Sequence, residues 1–331
     1  MTIIALEQCK ETEFTFSDDF NECIDYANLP GQLEKLTFGS QFNWDFGGIE
    51  WDRLTHLTFG KNFNENMSEI RFLNLIMLKF GEAFNRDIYD AIMPNLTHLI
   101  FGDNFCKRIT NHENYWPKLS VVCFCGYFDR DIMNNRFKLP PSITNLRLGD
   151  IFDDNIDDIG HKFPALQTLI FGDLFNQEMT NVYLPPTLSS LQFDGDYDQN
   201  IDIELNSLQV LQFGGQFNQP INASWPELIS LIFGDRFDQD LSNLKSPKLN
   251  NLTLGEKFNK PHTIMFENLH YIYDYSCTVT ENTYKIPRTL HEIIHILSYK
   301  LKAYEQMPII KTTIYKRFVG QLTKATINSC Y

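Results

Sequence analysis

A motif of the form L-x-x-L-x-F-G-x-x-F-N keeps returning along this chain. It stands at Leu33, Leu36, Phe38, Gly39, Phe42 and Asn43, again at Leu54, Leu57, Phe59, Gly60, Phe63 and Asn64, and again at Leu75, Leu78, Phe80, Gly81, Phe84 and Asn85. Counting a degenerate first copy at Phe14, Phe16, Phe20 and Asn21, twelve copies can be aligned, spaced 20 to 24 residues apart. A unit of that length cannot bury its apolar face alone. It must stack on its neighbours, and such a chain grows as a solenoid.

Each copy is counted here from its first Leu as position 1. Positions 4 and 6 alternate with positions 3 and 5, the period-2 pattern of a strand. The inward side chains fill the coil, and the outward ones line one face of a parallel sheet. Position 7 is Gly in nine of the twelve copies. Gly tolerates positive φ, which predicts a sharp turn as the chain leaves the strand. Position 10 returns an aromatic ring to the core. The two aromatic columns, positions 6 and 10, hold 21 of the 28 Phe residues, so the aromatic excess is core composition.

Position 11 carries short polar side chains: Asn43, Asn64, Asn85, Asp129, Asp153, Asn176, Asp198, Asn218, Asp238 and Asn259, with Cys106 as the one exception. The column predicts a structural ladder in which each side chain bonds backbone N–H groups of the turn. Pro94, Pro117, Pro141, Pro164, Pro186, Pro226 and Pro247 each stand two residues before a first Leu, where a missing N–H does least harm. The return segments are too short and aperiodic for regular helices, which predicts irregular or 3₁₀ turns. The fold class is therefore a leucine-rich-repeat-like solenoid. It has a parallel β-sheet with one short strand per coil, about 12 coils, and a mostly irregular convex side.

The predicted organisation has three parts. Residues 1–32 hold an N-terminal segment and the degenerate first repeat, 33–265 the regular array, and 266–331 worn repeats and a C-terminal cap. Leu269-x-x-Ile272 and Leu290-x-x-Ile293 read as copies that have lost the Phe-Asn pair. Leu290, Ile294, Leu297, Leu301 and Tyr304 also fit one helical face, so strand and helix both remain open there.

The recurring Phe-Asn pairs, each followed three residues later by Ile, Met or Leu, resemble the FNIP repeat. Phe217-Asn218-Gln219-Pro220-Ile221 is close to its ideal form. FNIP repeats are relatives of leucine-rich repeats found in social amoebae and in giant viruses that infect amoebae. The resemblance covers residues 33–264 and, more loosely, 11–32. It implies a curved solenoid and a role in protein–protein recognition. Many such proteins carry an N-terminal F-box that recruits a ubiquitin ligase. Only about ten residues precede the first copy here, so the ubiquitin-ligase link does not carry over directly. Leucine-rich repeats place their Asn nine residues into the motif rather than eleven, which predicts a different turn geometry.

The net charge is -14. From residue 281 onward, eight Lys and Arg face three Asp and Glu, so the acidity belongs to the first 280 residues. An acidic body argues against a nucleic-acid partner, which needs clustered Lys and Arg. The N-terminus has no basic segment followed by a long apolar run, and no stretch approaches 18 apolar residues, so neither a secretory signal nor a membrane span is expected. Seven Cys without disulfide-type spacing fit a reducing cytoplasm, the host's if the chain is viral.

The outward strand positions are the candidate partner-binding face: His56, Thr58, Met77, Lys79, His98, Ile100, Val121, Cys123, Asn145, Arg147, Thr168 and Ile170. They vary where the inward columns do not, as a recognition surface on a fixed scaffold does. The stretch from Met77 to Ile170 is the most apolar and the first choice for a contact patch. Acidic residues at position 8, such as Asp18, Glu82 and Asp103, read as ordinary turn chemistry rather than a cation site. Cys123 and Cys125 project to one face but lack the further ligands of a zinc centre. His291-Glu292-Ile293-Ile294-His295 is a literal H-E-x-x-H string, the alternative reading being a zinc hydrolase. No third ligand or domain-sized cleft accompanies it, so no catalytic residue, metal or cofactor is assigned. The expected function is a non-enzymatic scaffold or adaptor for a protein partner. The alternative in a different class is a structural component of a viral particle.

Overall fold

The computed structural model describes residues 12–24, 31–45, 51–67, 70–88, 90–109, 115–129, 132–133, 138–260, 268–274 and 292–295. The chain divides into two compact units, Met1–Leu166 and Gln167–Tyr331. Each is a stack of coils with one short strand per coil.

In the first unit the strands are β1 (Glu13–Thr15), β2 (Lys35–Thr37), β3 (His56–Thr58), β4 (Met77–Lys79), β5 (His98–Ile100), β6 (Val121–Cys123) and β7 (Asn145–Arg147). They pair in parallel and in chain order, with like positions facing like: Leu36 lies beside Leu57, Leu57 beside Leu78, and Leu78 beside Leu99. The strands are three residues long because only positions 3 to 5 alternate before Gly and the turn interrupt them. The position-2 carbonyl fixes the register at the strand start. Glu34 O accepts from both the Thr55 and His56 N–H groups, at 2.7 and 3.0 Å. One single-turn helix, α1 (Ile159–Lys162), occupies a convex segment where irregular turns were predicted.

The second unit repeats the plan with β8 (Thr168–Phe171), β9 (Ser190–Phe193), β10 (Val210–Gln212), β11 (Ser230–Ile232), β12 (Asn251–Leu254), β13 (Tyr271–Asp274) and β14 (Glu292–His295). These also pair in parallel and in order. The described backbone around Ile272 and Ile293 is thus strand. Leu290, Leu297, Leu301 and Tyr304 lie outside the described residues.

Where a coil carries both rings they stack on each other, and each also stacks on an equivalent ring in the next coil. Phe59 lies 3.7 Å from Phe63 and 5.6 Å from Phe80, with ring planes within 11° and 7°. The rings form two parallel files. Phe42, Phe63 and Phe84 are fully buried. Each such burial stabilises the coil by about 2–3 kcal/mol. Position 14 closes the core from the far side, with Met67, Ile88, Ile109 and Ile132 at most 3% exposed. Phe171 with Phe175, Phe193 with Tyr197 and Phe213 with Phe217 repeat the stacking in the second unit.

The reason for Gly at position 7 differs from the expectation. Gly39, Gly60, Gly81 and Gly102 do not adopt positive φ. They are required by close approach. A Cβ on Gly81 would lie 2.0 Å from the carbonyl oxygen of Gly60, and one on Gly60 would lie 2.1 Å from that of Gly39. Among the described residues positive φ occurs at Gly126 (46°) and Gly195 (53°). Both stand at position 8, directly after the non-Gly residues Cys125 and Asp194. At Cys125 and Asp194, where position 7 carries a side chain, the next residue is Gly and the turn is rebuilt in the left-handed region.

Candidate functional site

Parallel in-register pairing sets the outward positions of the first unit into two rows. Position 3 gives Lys35, His56, Met77, His98, Val121 and Asn145, and position 5 gives Thr37, Thr58, Lys79, Ile100, Cys123 and Arg147. Lys35 is exposed, and His56, Thr58, Met77, Lys79, His98, Asn145 and Arg147 are half-buried. Ile100, Val121 and Cys123 are closed, at 4%, 7% and 3% exposure. In the second unit Thr168 is half-buried and Ile170 is 3% exposed. The apolar patch expected between Met77 and Ile170 is therefore not an open surface. Strands about 4.8 Å apart leave little gap between outward side chains, and apolar ones close on their neighbours. Apart from Met77, the accessible part of the face in the first unit is polar.

The two histidines are held alike. His56 Nδ1 lies 2.9 Å from Thr55 Oγ1 and His98 Nδ1 lies 2.8 Å from Thr97 Oγ1. Burial pushes the pKa of His56 below its ordinary value, with the Lys35 charge adding to the effect. Burial does the same for His98, helped by His56. Both rings are neutral near pH 7. Burial also lowers the Lys79 pKa, opposed by the thiols of Cys125 and Cys123.

At the C-terminal end of β6, Cys123 Sγ and Cys125 Sγ lie 3.8 Å apart. Cys125 is held below the ordinary thiol range by its hydrogen bond with Cys123 and, less strongly, by the Arg147 guanidinium, against desolvation and the Asp103 and Asp150 carboxylates. Arg147 pairs with Asp150 at 3.2 Å.

The position-11 side chains link successive turns. Asn43 Oδ1 accepts the Asn64 N–H at 2.7 Å, Asn64 Oδ1 that of Asn85 at 2.9 Å, and Asn85 Oδ1 that of Cys106 at 3.1 Å. The second unit carries the same chain from Asn176 through Asp198, Asn218 and Asp238 to Asn259. The Asp18 carboxylate likewise accepts the Ser40 N–H and hydroxyl.

Glu292–His295 is strand, an extended backbone without the helical face on which an H-E-x-x-H zinc site depends. His291 lies outside the described residues. Among the described residues no group of three or more His, Cys, Asp or Glu side chains is arranged to hold a metal ion. No helix among them is long and apolar enough to cross a membrane.

One feature went unnoticed in the sequence. An open groove of about 690 Å³ runs along the strand starts of the first unit, lined by Glu34, Asp52, Arg53, Thr55, Asn74, Ile76, Asn95, Thr97 and Lys118. Its floor is position 2 and its wall the residue before the first Leu. Both columns vary freely, and only their adjacency across coils makes them one surface.

No protein-family model and no curated protein sequence matches the chain. Two of the solved structures similar to it each cover more than four fifths of the chain. CroV588, a novel circular LRR protein of the giant virus CroV, is 30% identical over 83% of this chain and 48% of its own, with a TM-score of 0.52. An internalin, InlF, from Listeria monocytogenes is 11% identical over 82% of this chain and 87% of its own, with a TM-score of 0.53. The chain is a leucine-rich-repeat-like solenoid. It spans about half the length of CroV588.

Proposed function

We propose that this solenoid is a non-enzymatic scaffold of the FNIP-repeat type that binds a protein partner through the outward face of its sheet. The observation that carries this reading is the contrast between columns. The Leu, Phe and Asn columns repeat coil after coil, whereas the outward rows run Lys35, His56, Met77, His98 and Thr37, Thr58, Lys79, Ile100 without a common chemistry. Such variation on a rigid lattice supports recognition. The likeness to CroV588, a protein of a giant virus, supports a viral setting. The acidic body favours a protein over a nucleic acid.

Half-buried side chains of the first unit make the contacts: His56, Thr58, Met77, Lys79, His98, Asn145 and Arg147. Ile100, Val121 and Cys123 support them from within the face. The test is capture from an amoebal extract with tagged protein, beside a Met77→Glu/Asn145→Glu variant whose fold is checked by circular dichroism. A partner retained by the parent and lost by the variant supports the face. Identical partners for both would sink it.

A further inference from the structure

We propose that Cys123 and Cys125 form a two-coordinate site for a soft monovalent cation, Cu(I), at the end of β6. The inference stands apart from the partner-binding reading and rests on four observations.

The first is placement. The two residues share one face of the chain, two positions apart, as alternation requires. Pairing with the next coil continues past Cys123, because the Phe124 N–H donates to the Arg147 carbonyl at 3.0 Å. The two sulfurs sit 3.8 Å apart.

The second is the room made for Cys125. It stands in the column that holds Gly in nine of twelve copies. In the preceding coils a Cβ at that position would lie 2.0 to 2.1 Å from a carbonyl oxygen of the coil before. Here the turn is rebuilt through Gly126 at φ 46°, and the thiol is accommodated beside Cys123.

The third is the bite. A disulfide needs Cβ atoms about 3.5–4.5 Å apart. An extended chain sets residues i and i+2 about 6.6 Å apart, so the pair is poorly shaped for one. Two sulfurs sharing a metal at about 2.3 Å stand about 3.8 Å apart at a tetrahedral angle and about 4.6 Å apart when opposed. The observed spacing begins that range, and a small thiol rotation covers the rest.

The fourth is charge and ligand count. A divalent zinc ion would need about two more protein ligands. Among the described residues no third His, Cys, Asp or Glu joins the pair. Soft thiolates select Cu(I), which is satisfied by two of them. The resulting complex carries one negative charge. Arg147 lies directly across the strand pair from Cys123, and Lys79 lies two strands away in the same row. Asp103 and Asp150 on the turns oppose them, with Asp150 engaged by Arg147. On binding, two thiol protons leave as two S–Cu bonds form, and no electrons move.

The full chain, reduced and free of oxygen, should be titrated against Cu(I) held by a chromogenic chelator. The parent should withdraw one equivalent. Cys123→Ser and Cys125→Ser should each lose it, and Cys106→Ser and Cys23→Ser should keep it. X-ray absorption on the loaded protein should show sulfur-only, two-coordinate copper. If Cys125→Ser does not fold, Cys125→Gly, which restores the regular column, gives the same reading. No withdrawal by the parent, or an equivalent that survives loss of either thiol, overturns the proposal.

Discussion

The side-chain oxygen of Asn64 accepts the backbone N–H of Asn85 at 2.9 Å, one full coil further along. The Asn64 N–H is taken in turn by Asn43 at 2.7 Å. Asn64 thus secures the turn of its successor and is secured by its predecessor. Asn64→Ala strands the Asn85 N–H and should cost about 1–2 kcal/mol in urea unfolding. Asn64→Asp keeps the acceptor and should cost less, since Asp198 serves Asn218 in the same way at 2.8 Å. Equal losses for the two variants would show that the ladder oxygen does not matter.

The aromatic files make a different prediction. Phe59 is 2% exposed and stacks on rings in its own and both flanking coils. Phe59→Ala should destabilise by about 3–5 kcal/mol. Phe59→Leu should be milder, because Leu148 and Leu254 fill the same column fully buried. Calorimetry of both variants gives the comparison, and a Leu variant as weak as Ala would mean that stacking outweighs burial.

These columns were legible in the sequence because a defect in one coil is contrasted with eleven other copies. Leu57, Phe59, Phe63 and Asn64 each repeat their role, so recurrence alone assigns it. What recurrence cannot express is distance between coils. The Gly column was visible, yet its cause, a carbonyl of the preceding coil 2.0 Å from the missing Cβ at Gly81, is a contact between residues 21 apart. The same blindness made Ile100, Val121 and Cys123 read as open when their neighbours across the sheet close over them. The groove beside Thr55 and Ile76 was hidden for that reason too.

Two glycines separate close approach from flexibility. Gly81→Ala forces two coils apart and should cost about 1–3 kcal/mol or more. Gly215 has nothing within 4 Å of its would-be Cβ and no positive φ. Gly215→Ala should be neutral or stabilise by about 0.4–1 kcal/mol through the unfolded chain. Thermal melts that rank the pair in the opposite order would refute the close-approach account.

Acid should weaken the first unit through its histidines. The folded pKa values of His56 and His98 lie below the ordinary 6.5. Well above that value neither state is protonated, and the histidines contribute no slope. As pH falls through it, the unfolded chain takes up protons first and stability declines, levelling once the folded pKa values are passed. His98→Gln should flatten this part of the profile, measured as urea midpoints from pH 7.5 down to about 5. An unchanged slope in that variant would place the titration elsewhere.

From Lys35 to Asn85, every coil hands its successor the same carbonyl at the Gly, the same ring faces and the same amide oxygen. The coils are interchangeable parts. A stretch of 21 residues such as 54–74 can be excised or copied whole, and the newly joined edges meet surfaces of the kind they were shaped for. Removing half a coil would instead set Leu against Gly and ring against amide. Chains of this type therefore lengthen and shorten in quanta, and copy number is a variable that their architecture leaves open to inheritance.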